Sequence, residues 1–230
     1  MPLLSNIVIF AIALSIPLLF TFWAWRSASL FAYTVTITTF SLLAVEGMGT
    51  IVTLFGFPIL GSSMSFPAVF LLISLCAKEF GTEETLKVAR WVLLSLVIYT
   101  TVQFRWAATA YFGVEIPEKL LEDATIDFRN AVLMTGTLYF GALLLLSLRR
   151  MFRRWSVHVR LGIPMAVDIL LTLPVSLLAM YKGNGILVPV DSLDQLLIAT
   201  LIVRLMVPAI TLTGLHFYQW KPAFENTFKE

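Results

Sequence analysis

Charge is scarce in this chain. Charged residues fill 13% of its 230 positions, about half the share of an ordinary soluble domain. That shortage excludes a water-soluble globular fold of this size. Cysteine is scarcer still. Cys76 stands alone, so neither an internal disulfide framework nor a cysteine metal centre is available. It lies between Leu75 and Ala77 in an apolar run, where a packed thiol is expected. The two histidines, His158 and His216, belong to a basic loop and a helix end, and no metal site is expected from them. The chain has no phosphate-cradling Gly-rich loop ending in Lys-Ser or Lys-Thr, no His-Glu-x-x-His and no Gly-x-Ser-x-Gly. The reading is therefore non-enzymatic, with no cofactor. The net charge of +2, with basic residues gathered between apolar runs, gives no nucleic-acid surface.

Apolar residues are abundant, at 59% of the chain, and mean hydropathy is +0.89. A spanning helix needs about 20 of them in succession, and seven such runs occur, at about 3–23, 28–50, 65–80, 88–111, 129–148, 161–181 and 194–217. The expected fold is an all-α, polytopic membrane helix bundle in a single integral membrane domain. The second run continues past Glu46 through Gly47, Gly49 and Pro58. It is either one long, broken helix or a helix followed by a re-entrant segment. The first run lacks a basic start, which favours a retained helix over a cleaved signal peptide.

Basic residues divide unequally between the two sides. One side receives Arg26, Lys78, Lys87, Arg90, the cluster Arg149, Arg150, Arg153, Arg154 and Arg160, and the tail residues Lys221 and Lys229. The other receives Lys119, Lys182 and Arg129, with acidic residues at Glu115, Glu118, Glu122, Asp123 and Asp127. The positive-inside rule then places the C-terminus in the cytoplasm and the N-terminus outside the cell (inner) membrane. Lys78 and Glu79 are expected to end the third helix before Gly81, and Thr82-Glu83-Glu84 to open the next.

Three ionisable residues interrupt the apolar runs: Glu46, Asp168 and Arg204. Each costs roughly 2.5–3.5 kcal/mol at the centre of a spanning helix on insertion scales, so such groups turn inward, pair and serve function. Thr39, Glu46, Thr50 and Thr53 would share one face of the second helix. Asp168, Thr172 and Ser176 recur every fourth position on the sixth, and Thr200, Arg204 and Thr211 form a stripe on the last. The economical arrangement joins all three stripes around one cavity at membrane depth. Hydroxyls in membrane helices also bond back to their own backbone, and the charges also suit an internal salt bridge. Tyr99 and Gln103, four apart, could line the cavity, while Thr137 and Gly141 suit close helix packing.

From Ser65 onward the chain resembles the VUT membrane proteins, which include the bacterial queuosine-precursor transporters. The resemblance rests on Ser65-Phe66-Pro67-Ala68-Val69-Phe70-Leu71-Leu72, then Leu75 and Glu79-Phe80-Gly81. Arg129, Gly141, Asp168 and Arg204 fall where that family has an Arg, a small residue, an Asp and a basic residue. Ser74 stands where the family has Asp, Ala142 and Leu145 where it has a Gln and an Asp, and Met165 where it has Asn. The resemblance implies a six-helix transporter core at about 28–217 (its helices spanning a bilayer of the usual thickness), an extra N-terminal transmembrane helix and a cytoplasmic tail at 218–230. It implies a small planar heterocyclic substrate of the 7-deazaguanine type. Substrate-binding residues would then be Glu46, Asp168, Arg204, Thr172, Tyr99, Gln103, Phe70 and Ser74. The partners expected are that solute and the lipid bilayer, with an energising partner protein or a homo-oligomer compatible. Two alternatives stay open: a substrate-binding subunit of an ATP-driven vitamin uptake system, and a non-transporting membrane scaffold.

Overall fold

Backbone polar groups in hydrocarbon must satisfy one another, and a helix does so within one segment. The computed structural model describes residues 2–47, 50–111, 118–151, 157–179, 181–182, 185–186 and 193–217, and helices dominate them. Helix α1 spans Pro2–Ser27 and α2 spans Leu30–Glu46. Strands β1 (Ile51–Leu54) and β2 (Phe57–Leu60) form a hairpin, and a 3-10 turn at Gly61–Ser63 leads into α3, Ser65–Glu79. Helices α4 (Gly81–Tyr111), α5 (Glu118–Met151) and α6 (Val157–Val167) follow. A π-helical turn at Asp168–Thr172 carries α6 directly into α7, Leu173–Ala179. A small second hairpin pairs β3 (Tyr181–Lys182) with β4 (Gly185–Ile186) before α8, Leu193–Phe217. A helix thus falls on each of the seven apolar runs. Among the described residues, five helical stretches are long and apolar enough to cross a membrane, and α2 is apolar but shorter, at 17 residues.

Helix α3 forms the centre. Phe66 to Cys76 are buried without interruption, as expected of a helix that is apolar all round. Cys76 is the packed thiol its setting predicts. Helix α4 instead buries Val88, Val92 and Leu96 and exposes Trp91, Leu94, Ile98 and Val102. A large exposed apolar stripe is a liability in water and at home against lipid. Helix α5 rides closely on α3, because a Cβ at Gly141 would lie 2.7 Å from the Phe70 ring. The Thr137 hydroxyl donates to the Leu133 carbonyl of its own helix at 2.7 Å. Helix α3 ends where the sequence predicts, with the Phe80 N–H bonded to the Cys76 carbonyl at 2.9 Å. Glu83 and Glu84 occupy the first turn of α4, at the favourable end of its dipole.

The second apolar run leaves the helix at Glu46, so Thr50 and Thr53 do not extend the stripe that includes Thr39. The chain turns back instead through β1 and β2, paired Ile51↔Leu60 to Leu54↔Phe57. Phe55 and Gly56 form the turn with φ of 52 and 84, the left-handed pair that matches the twist of a tight hairpin. Leu60 clusters with Leu196, and Ile59 with Val203, both on α8. The Leu60 N–H donates to Thr200 Oγ1 at 3.2 Å. Only the inner end of the hairpin, Ile59 and Leu60, is buried against α8, where its non-helical backbone finds a partner in protein; Val52, Phe55 and Phe57 are exposed. Replacing Thr200 with Val is expected to strand that N–H and cost about 1–3 kcal/mol. Thr39→Val is its control, since Thr39 bonds only the Val35 carbonyl one turn back. Thermal unfolding in detergent reads both, and equal midpoints would refute the role given to Thr200.

Candidate functional site

Two of the three stripes meet. Asp168, Thr172 and Ser176 from the π turn and α7, and Thr200, Arg204 and Thr211 from α8, are all buried. Arg204 Nη1 lies 3.1 Å from Asp168 Oδ1, with both side chains at or below 1% exposure. The same nitrogen donates to Thr172 Oγ1 at 2.5 Å. Thr172 Oγ1 lies 2.6 Å from Asp168 Oδ1 and 2.8 Å from the Asp168 carbonyl. Its single proton serves one of these acceptors while its lone pair receives Arg204. Ser176 Oγ donates to the Thr172 carbonyl at 2.7 Å and accepts from Arg204 Nη2 at 3.4 Å. The Phe66 ring of α3 lies under the guanidinium, 5.3 Å from centroid to carbon, a cation–π geometry. Arg204 Nε is buried without a hydrogen-bond partner.

Local sequence explains why the helix opens at this point. Pro174 has no N–H for the Leu170 carbonyl one turn back, and its ring crowds that carbonyl. The widened turn at Asp168–Thr172 accommodates both effects. Pro164 precedes Asp168 by four residues and Pro208 follows Arg204 by four, each inside a continuous helix, so each charged residue lies one turn from a proline that removes one backbone hydrogen bond from its helix. This four-residue spacing to proline is a sequence signal that the charged stripes alone do not supply. A π turn within a helix is frequent at functional sites.

Glu46 does not join the pair. It ends α2 with an exposed side chain, and the Tyr99 hydroxyl of α4 donates to its Oε1. Gln103 Nε2 in turn donates to the Tyr99 hydroxyl at 2.7 Å. The expected convergence of three charges is thus corrected to a buried pair plus a separate Glu46–Tyr99–Gln103 chain. The reason is the helix end: α2 stops at Glu46, so the carboxylate stands at the bundle surface. Phe70 is fully buried against α5, and Ser74 receives Arg149 Nη1 on its hydroxyl at 2.8 Å as well as on its carbonyl. Neither Phe70 nor Ser74 is among the groups bonded to the Asp168–Arg204 pair. Sequence inspection missed the reach of Arg149 into α3; a stripe search within single helices does not detect a bond between two. Arg129 Nη2 donates to the Ala179 carbonyl at 3.0 Å and contacts Asn130, which ties α5 to the end of α7.

Acidic residues 115, 118, 122, 123 and 127, basic residues 153, 154 and 160, and the tail from 218 lie outside the described residues or side chains. Among the described residues no cluster of metal-ligating side chains occurs. No protein-family model, curated protein or solved structure matches the chain.

Proposed function

We propose that the chain is a membrane transporter for a small planar solute, with the Asp168–Arg204 pair as the resting form of its binding site. One observation carries the reading: a fully buried ion pair at a π turn, with a proline one turn from each partner. A buried pair is a poor stabilising device, because desolvation offsets most of its attraction. Charges at membrane depth more often mark a solute or ion pathway, and broken helices supply such sites in transporters. The orphaned Arg204 Nε is a donor that a solute carbonyl would satisfy. Asp168 would accept from a ring N–H or amino group as Arg204 swings away. The resemblance to queuosine-precursor transporters supplies the solute class, a 7-deazaguanine base.

Uptake of radiolabelled 7-cyano- and 7-aminomethyl-7-deazaguanine tests this in cells that lack their own transporter and their own synthesis. At matched membrane expression, Asp168→Asn is expected to abolish uptake. Glu46→Gln is expected to leave most of it, since Glu46 lies apart from the pair. No uptake by well-expressed wild type removes these bases as substrates. Undiminished uptake by Asp168→Asn removes the site.

A further inference from the structure

At the end of the bundle where α3 stops, α4 starts and α5 ends, a cleft of about 660 Å³ opens. Its walls include Lys78 from α3, Thr82, Glu83 and Leu86 from α4, and Arg149 and Arg150 from α5. We propose that this cleft binds the phosphate of an anionic phospholipid. Three cations from two helices face one cavity, and a single carboxylate, Glu83, opposes them among the lining residues. Glu83 is exposed and stands in the first turn of its own helix, where the dipole already balances it. The cations are not equivalent. Arg149 is half-buried and rooted by its bonds to the Ser74 carbonyl and hydroxyl, whereas Lys78 and Arg150 are exposed. The arrangement gives one fixed positive group and two adaptable ones, with Leu86 as an apolar wall.

Depth argues for a lipid rather than a free anion. The cleft lies at the ends of helical stretches apolar enough to cross a membrane, Gly61–Glu79, Gly81–Arg105 and Phe128–Met151. Phosphates of the surrounding leaflet are concentrated at that level. Basic pockets between spanning helices on the cytoplasmic side characteristically hold anionic headgroups, and the charge asymmetry assigns this end to the cytoplasm. The inference is independent of which solute the protein carries.

Native mass spectrometry of the full chain in detergent tests it, with phosphatidylglycerol, phosphatidylcholine and inorganic phosphate as probes. Phosphatidylglycerol is expected to stay bound where phosphatidylcholine does not. The Lys78→Gln/Arg150→Gln double variant should weaken it about thirtyfold, or about fivefold for each basic residue lost at the membrane surface. Both side chains are exposed, so the variant should fold, and circular dichroism with size-exclusion chromatography confirms that it has. Equal retention of the two lipids overturns the proposal, as does undiminished phosphatidylglycerol binding by the folded double variant. Displacement of the lipid by millimolar inorganic phosphate overturns the lipid assignment in favour of a free anion.

Discussion

Arg204→Met is expected to destabilise the bundle by about 3–5 kcal/mol, because it leaves Asp168 charged, buried and unpaired. Arg204 is the largest fully buried side chain in the described structure, and Asp168 is 1% exposed, so water cannot replace the lost partner. Thr172 can still donate to Asp168 Oδ1, at 2.6 Å, but one neutral hydrogen bond does not balance a buried carboxylate. The companion variant Arg204→Met/Asp168→Leu removes both charges. Apolar replacement of a buried pair is often neutral or stabilising, so the double variant should recover most of the loss. Denaturant titration in mixed micelles, run as a double-mutant cycle, measures the coupling. A double variant as unstable as Arg204→Met would show that the pair is not the dominant electrostatic partner of either residue. The cycle also separates two roles. If the pair only locks the bundle, the folded double variant retains uptake; if it is the transport site, stability returns and uptake does not.

Much of this site was legible in the sequence. Four-residue spacing placed Asp168, Thr172 and Ser176 on one face, and the same logic placed Thr200, Arg204 and Thr211 together; all six are buried. Helix periodicity survives the π turn because the departure is confined to Asp168–Thr172. The same rule failed on the second helix for a local reason. Extending α2 by one turn puts Thr50 in register with Glu46, but the helix ends at Glu46 and Thr50 precedes a strand. The hairpin itself lacks the Asn-Gly or Asp-Gly signal that marks a tight turn. Phe55 takes the left-handed conformation in place of such a residue, a conformation disfavoured for a bulky side chain. Its packing on α8 through Ile59 and Leu60 is tertiary, and no local pattern encodes it.

That packing requires a narrow neck, and Gly61→Ala is expected to break it at a cost of about 1–3 kcal/mol. Three bonds close the neck: the Thr50 N–H and Oγ1 both reach the Gly47 carbonyl, at 3.4 and 2.8 Å, and the Gly61 N–H donates to the Thr50 carbonyl at 3.0 Å. A Cβ at Gly61 would lie 2.2 Å from Thr50 Oγ1 and 2.9 Å from the Gly47 carbonyl oxygen. The hydroxyl could rotate away, but the carbonyl is backbone. Gly61→Ala/Thr50→Ala should therefore remain destabilised, which distinguishes a backbone clash from a side-chain one. Gly136→Ala is the control, with nothing within 4 Å of its added Cβ and a small gain in helix propensity, about 0.5–1 kcal/mol. Equal unfolding midpoints for Gly61→Ala and Gly136→Ala would exclude the neck as described. The effect should extend beyond stability. Leu60 is the neighbour of Gly61 and holds Thr200 through its N–H, and Thr200 lies one turn from Arg204. Opening the neck therefore releases the segment of α8 that presents Arg204 to Asp168. Uptake by Gly61→Ala should fall although neither charged residue has changed, and Gly136→Ala should transport as wild type does.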